Sequence, residues 1–304
     1  MSLFEKNIGV IGLGQMGGGI AVNLARAGYH VRGYDPLPAC VQRLVSAGGS
    51  PAQSNNEIAE QCDIVLIVVE GKIAIHLADE VLLPSARPGQ IYIDHSTMPA
   101  PETRRIAGAF LAKGIQYLDA PTSGGWQGAD AGTLRIFVGG DPETVEACWP
   151  LFEAIGRKDK IVYCGATGMG QVAKVVQQLT LRLPDMARME VLMFGMRAGL
   201  DDETLLRALD ITADSNDRYA LLYRAIRAGT IDRITPLVSE WSYYLAEAHQ
   251  RGFRMPILEG LLAFVEGAEL RSIDSVNRPE PSLWWELMNS QFHPESLLKG
   301  LNQS

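Results

Sequence analysis

Cysteine is scarce, with 4 in 304 residues. Cys40, Cys62, Cys148 and Cys164 lie too far apart in the sequence to make a redox pair or a metal knuckle. Four reduced thiols are therefore expected, as in cytoplasm. Runs of positive charge are missing too: no five consecutive basic residues occur, and 27 Lys+Arg against 35 Asp+Glu give a formal net charge of −8, with a pI near 5.2. That balance excludes nucleic acid as an expected partner, because a polyanion needs a basic footprint. The longest strongly apolar run, Ile64 to Val69, is far too short for a bilayer, so no membrane partner is expected. Met1 to Asn7 shows neither the basic nor the apolar region of a signal peptide, so export is not expected either. The 5 histidines, His30, His76, His95, His249 and His293, form no H-E-x-x-H or Cys/His constellation, and no metal is required. Aromatic residues amount to 7%; Trp241, Tyr243, Tyr244, Trp284 and Trp285 read as helix packing or a subunit contact.

What is present begins with alternation. The first half places short β-rich runs (Asn7–Ile11, His30–Tyr34, Ile64–Val69, Ile91–Asp94, Gln116–Leu118, Arg135–Val138, Ile161–Tyr163) between helical stretches such as Gln15–Ala27, Pro38–Ser46, Pro101–Ala112 and Pro142–Ile155. This is the pattern of βαβ units feeding a parallel sheet covered on both faces. After Gly165 apolar residues recur at helical spacing from Gly170 to about Arg197. Further helical stretches follow at Asp202–Leu209, Leu237–Gln250 and Ile257–Leu270. The fold class is thus α/β, a doubly wound domain over 1–165 followed by an all-helical domain over 166–304. Pro184 falls inside the long helix, where a kink is expected.

Ile8-Gly9-Val10-Ile11-Gly12-Leu13-Gly14-Gln15-Met16-Gly17 sets G-x-G-x-x-G between a strand and a helix. Gly12 permits the tight turn, Gly14 lets backbone approach a pyrophosphate, and Gly17 allows close helix packing, with the helix N-terminus facing the negative charge. A Gly-rich turn alone has a bland reading. Here the next strand ends in Tyr34-Asp35-Pro36, where a carboxylate can accept hydrogen bonds from an adenosine ribose. The combination points to dinucleotide binding, and Asp35 favours NAD over NADP because it would repel a 2′-phosphate. Strand alternation turns Arg32 to the face of Tyr34, away from the Asp35 carboxylate.

Further segments complete a resemblance that covers most of the chain. They are Gly17-Gly18-Gly19 with Ala21-Val22-Asn23-Leu24; Asp94-His95-Ser96-Thr97; Asp119-Ala120-Pro121-Thr122-Ser123-Gly124-Gly125 continued by Gly128 and Ala131-Gly132-Thr133-Leu134; and Gly168-Met169-Gly170-Gln171-Val172-Ala173-Lys174. Together with the glycine-rich turn they resemble the β-hydroxyacid dehydrogenase family, which includes 3-hydroxyisobutyrate dehydrogenase and tartronate semialdehyde reductase. The resemblance implies that Ser96 and Thr97 approach the nicotinamide side of the cofactor. It further implies that Ser123 and the Gly124 N–H hold a substrate carboxylate and that Lys174 carries the proton. It also implies a homodimer or homotetramer.

The residues themselves support that division. Ser123 lies just past a strand's C-terminal end, where ligands of open α/β sheets bind. Lys174 sits among Val172, Ala173, Val175 and Val176, where desolvation would lower its pKa from about 10.4. Gln178 stands one turn beyond Lys174, where the family usually has Asn, and can orient a hydroxyl or carboxylate. Arg182 continues the same stripe. Two departures bear on the substrate. The family's C-terminal Lys-Asp-Leu corresponds to Ser239-Glu240-Trp241-Ser242, with no lysine between Lys174 and Lys299, and Trp126 follows Ser-Gly-Gly where Pro is frequent. The expected activity is hydride transfer between NAD(H) and a small anionic hydroxy acid. Imine reduction and an idle nucleotide-bound scaffold are the alternatives, and retention of Lys174 argues against both.

Overall fold

The computed structural model describes residues 3–228 and 240–267. Ser239, Trp284, Trp285, His293 and Lys299 lie outside these residues, as do the start of the helix expected at Leu237 and the end of the one expected at Leu270. The described residues fall into two compact units, one comprising 3–177 with 242–254, the other 178–228, 240–241 and 255–267.

The first unit alternates strand and helix from its start. Its elements are β1 (Asn7–Ile11), α1 (Gln15–Arg26), β2 (His30–Tyr34), α2 (Pro38–Ser46), β3 (Ser50–Pro51), α3 (Asn55–Gln61) and β4 (Ile64–Ile67). The helix α4 (Gly71–Leu77) then runs through a wider turn into α5 (Leu83–Ser85), followed by β5 (Ile91–Asp94), α6 (Ala100–Leu111) and β6 (Gln116–Asp119). Next come β7 (Thr122–Ser123), α7 (Gly125–Ala131), β8 (Leu134–Gly139), α8 (Pro142–Ile155) and β9 (Gly156–Gly165).

The strands form one sheet in the order β3-β2-β1-β4-β5-β6-β8-β7, with β9 on β8. Pairing is parallel from β3 through β6, and β8 joins β6 antiparallel. The doubly wound class read from the alternation is what the chain adopts, and strand periodicity explains how it is filled. Ile8, Val10, Ile64, Leu66, Ile93 and Leu118 pack on one side with α1 and α8. Their neighbours Ile11, Val65, Ile67, Tyr92 and Tyr117 pack on the other with α3, α4 and α6. Successive side chains point to opposite faces, so near-continuous apolar strands bury both.

The order reverses at β1, which lies between β2 and β4. Ligands of open α/β sheets bind outside the strands' C-terminal ends at such a switch point. There β4 stops at Ile67, two residues before the apolar run ends, and the Val68 N–H makes the closing bond to β1, onto the Ile11 carbonyl at 2.8 Å.

Helix α9 (Met169–Arg197) carries the chain from the first unit into the second and continues through Pro184. In the second unit are α10 (Asp202–Ala208) and α11 (Arg218–Arg227). Buried Asp185 of α9 is held by the guanidinium of Arg218 and by Arg188 at 3.4 Å. Helix α12 (Trp241–Gln250) returns to the first unit, where buried Glu247 accepts from Arg104 of α6 at 2.7 Å and from Arg251 at 2.6 Å; α13 (Pro256–Gly267) follows. Trp241 and Tyr244 are buried, which is the packing role open to them in the sequence.

Candidate active site

The glycine-rich turn has the shape its spacing requires. Gly12 has φ +85°, and a Cβ there would lie 2.4 Å from the Val68 carbonyl oxygen; a Cβ on Gly17 would lie 1.8 Å from the Gly12 oxygen. Only glycine permits this approach of helix to strand. Gly12, Leu13 and Gly17 are buried, Met16 is half-buried, and Gly14 and Gln15 are exposed. Helix α1 opens at Gly14 with no side-chain cap and no acidic residue in its first turn, and nothing lies within 4 Å of a Cβ built on Gly14. Its leading N–H groups and dipole therefore face open space, which suits a pyrophosphate.

Asp35 completes the fit. Its Oδ2 accepts the Leu13 N–H at 2.8 Å and its Oδ1 the Leu37 N–H at 2.9 Å. A carboxylate offers about four lone-pair sites, so acceptor capacity remains for a ribose diol. Arg32, the cation that could have served a 2′-phosphate, is engaged by α3, where it meets Glu57 at 2.7 Å and Gln61.

Asp94-His95-Ser96-Thr97 follows β5. Asp94 is fully buried; its Oδ1 accepts the Ser96 N–H at 2.8 Å and its Oδ2 the Tyr117 hydroxyl at 2.7 Å. Burial pushes this carboxyl up to about 6 against the pull of those donors. Ser96 is buried and Thr97 half-buried. His95 donates from Nδ1 to the Ala120 carbonyl at 2.8 Å, which ties this turn to the segment after β6. Its buried Nε2 meets no hydrogen-bond partner, and burial lowers its pKa to about 4, so the ring is neutral near pH 7.

The second loop runs from Asp119 through β7 into α7. Ser123 is half-buried, and exposed Gly124, with φ +137°, precedes the helix. Asn23 of α1 donates to the Ala129 carbonyl of α7 at 2.7 Å, so the helix behind Ser123 leans on the helix of the glycine-rich turn. Trp126, in the first turn of α7, is 49% exposed.

Lys174 is 6% exposed, and its Nζ donates to the Thr122 carbonyl oxygen at 2.5 Å, bridging 52 positions of sequence. The structure thus brings Lys174 to the Ser123–Gly124 loop. Gln178 and Arg182 fall in the second unit, both half-buried.

Two groups emerge that a motif reading does not single out. Asp119, fully buried, accepts the Gly168 N–H at 2.7 Å and the Gln171 N–H at 3.0 Å; burial raises its carboxyl to about 6 despite these bonds. Gln171 donates to the Ser96 carbonyl at 2.8 Å. Both stand inside the quoted motifs, and the signal available was an acid at the last position of an apolar strand. Among the described residues no group of three or more His, Cys, Asp or Glu is arranged to hold a metal.

Comparison with known proteins gives the same picture. Residues 7–168 match the family model described as the NAD binding domain of 6-phosphogluconate dehydrogenase. The NAD-dependent L-serine dehydrogenase of Pseudomonas aeruginosa is 38% identical over 217 residues, 69% of this chain and 71% of the relative. The 3-hydroxyisobutyrate dehydrogenase of the same organism is 37% identical over 214 residues, again 69% and 71%. Among solved structures, the Mycobacterium tuberculosis 3-hydroxyisobutyrate dehydrogenase with L-serine superposes with a TM-score of 0.70 at 26% identity, covering 87% of this chain and 92% of that one. With a dinucleotide turn closed by Asp35 and relatives that agree over most of the chain, the protein belongs to the β-hydroxyacid dehydrogenase family and is an NAD-dependent oxidoreductase of hydroxy acids.

Proposed function

We propose that the chain interconverts a small anionic hydroxy acid and its carbonyl product, with Lys174 as the proton carrier and with Ser123 and the Gly124 N–H on the substrate carboxylate. The observation that carries this reading is the 2.5 Å bond from the Lys174 amine to the Thr122 carbonyl, which sets a buried lysine beside the serine loop. When bound, the nicotinamide supplies the hydride acceptor or donor. Gly12, Leu13, Gly14, Gln15, Met16 and Gly17 receive the pyrophosphate, Asp35 takes the adenosine ribose, and Ser96 and Thr97 stand toward the nicotinamide. In oxidation Lys174 accepts the hydroxyl proton, and in reduction it returns a proton to the developing alkoxide. Ser123 and Gly124 fix the acid so that its reacting carbon is held at one place, which is where much of the rate arises.

The relatives are named for L-serine and for 3-hydroxyisobutyrate, and this chain departs from the family at the positions that face substrate in the sequence reading. We read the substrate as an anionic hydroxy acid other than 3-hydroxyisobutyrate itself, with Gln178 and Arg182 contributing through their spacing from Lys174 and Trp126 adding bulk beside Ser123. The enzyme is read as a cytoplasmic homodimer or homotetramer; its four cysteines are unpaired, and light scattering at micromolar concentration tests the assembly. NADH formation across L-serine, 3-hydroxyisobutyrate, glycerate, threonate and hydroxy-sulfonates, with an imine panel run in reverse, tests the activity. Turnover of a hydroxy acid is expected, and turnover of imines alone would contradict the reading.

A further inference from the structure

Helix α9 is preceded by Gly168, which has no side chain to cap it. No acidic residue occupies its first turn, and the residues leading into it are Ala166, Thr167 and Gly168. The first N–H groups of a helix nevertheless need acceptors, and a carboxylate is the acceptor its dipole favours. Here that carboxylate is Asp119, about fifty positions earlier, which takes the N–H of Gly168 at 2.7 Å and of Gln171 at 3.0 Å.

A local cap would fix the helix end against its own loop. Asp119 fixes it against the sheet and against the loop that starts at Asp119 itself. The fit leaves no slack: a Cβ on Gly139 would lie 2.5 Å from Asp119 Oδ1, and one on Gly170 would lie 2.7 Å from Oδ2 and 2.4 Å from the Phe137 carbonyl. Gln171, 2% exposed, adds a strut to the cofactor side, donating to the Ser96 carbonyl at 2.8 Å and accepting the Met98 N–H at 3.4 Å. Lys174 follows one turn later. An α-helix is stiff over one turn, rising about 1.5 Å per residue, so holding 168–171 sets the Lys174 backbone as well. A displacement of about 1 Å at a reacting group can cost on the order of 100-fold in rate.

We propose that Asp119, with Gln171 as its second strut, is a positioning residue of the reaction, holding the first turn of α9 so that the Lys174 amine stands at the Thr122–Ser123–Gly124 loop. The proposal rests on Lys174 being the proton carrier, and its test separates the two ideas.

In Asp119→Asn one oxygen still accepts an N–H while the new amide nitrogen opposes the other. The readouts are kcat with the best acid of the panel, the NAD+ dissociation constant by fluorescence, and acetylation of individual lysines by acetic anhydride, followed by mass spectrometry. Expected are a kcat at least tenfold lower, NAD+ affinity within twofold of wild type, and Lys174 acetylation at least fivefold faster with exposed Lys72 and Lys113 unchanged. Gln171→Ala keeps the N–H that Asp119 accepts and removes only the strut; it decides the matter should Asp119→Asn not fold. For it, acetylation of Lys174 at least twofold faster and a kcat at least threefold lower are expected. Wild-type acetylation of Lys174 in the folded variant overturns the proposal, whatever happens to kcat. Faster acetylation in Asp119→Asn together with full turnover in Lys174→Ala would uphold the positioning and overturn the proton-carrier reading instead.

Discussion

Asp35 Oδ2 accepts the Leu13 N–H at 2.8 Å, so the carboxylate at the end of the second strand is bonded to the glycine-rich turn itself. The group proposed to take the ribose is therefore bonded to the turn proposed to take the pyrophosphate. NAD+ should bind at least about tenfold more tightly than NADP+, because a 2′-phosphate would meet like charge, and fluorescence titration of each measures it. Asp35→Ala should narrow that ratio and cost about 1–3 kcal/mol of stability, since the buried Leu13 N–H loses its acceptor. Equal affinities in the wild type would contradict the role given to Asp35.

Asp94 gives a pH signature. Burial raises its folded pKa to about 6, above an unfolded value of about 3.9. The folded state then binds the proton more tightly than the unfolded state. Ionised Asp94 costs stability fully above pH 6, and the cost fades as pH falls from 6 to 4. Asp94→Asn should accordingly gain stability relative to wild type as pH rises across that window, by about 3 kcal/mol for a two-unit shift. Denaturant unfolding of both proteins at pH 4, 5, 6 and 7 measures the difference. A flat difference, or one of opposite sign, would refute the assignment. Asp119 lies in register with Asp94 and raises its pKa further, so the apparent midpoint belongs to the pair.

The substrate role proposed for Arg182 can be tested by substitution. Its planar fork suits a carboxylate or another oxyanion, and Arg182→Ala should lower kcat/KM for the preferred acid by about 1.5–3 kcal/mol, the usual size for a hydrogen bond to a charged group. A panel in which 3-hydroxyisobutyrate is the best substrate, with kcat/KM unchanged in the variant, would reject both the substrate reading and the role of Arg182.

Much of this is legible in the sequence. The strands at Asn7–Ile11 and His30–Tyr34 and the helices at Pro38–Ser46 and Pro142–Ile155 follow from apolar periodicity, with Pro at the first turn of both helices. Helix α3 hides from periodicity because Asn55–Gln61 is mostly polar. Yet Ser54-Asn55-Asn56-Glu57 spells a capping box, and Ser54 Oγ does accept the Glu57 N–H at 3.1 Å. Strand β9 extends well beyond Ile161–Tyr163, and apolar counting misses its start because Arg157 to Lys160 are charged. At the site, the motifs name Ser123 and Lys174 but not the bonds of Asp119, because a contact across some fifty positions leaves no local pattern. Nor could spacing tell that His95 would be tied to Ala120 and kept neutral by burial.

The role of Lys174 is the claim on which the rest turns, and Lys174→Ala tests it most directly. With the preferred hydroxy acid and the chemical step shown to be rate-limiting, kcat should fall by about 10²–10⁴-fold, the usual contribution of general acid–base catalysis. The NAD+ dissociation constant should stay within twofold of wild type. Wild-type turnover in a folded Lys174→Ala protein would contradict the account.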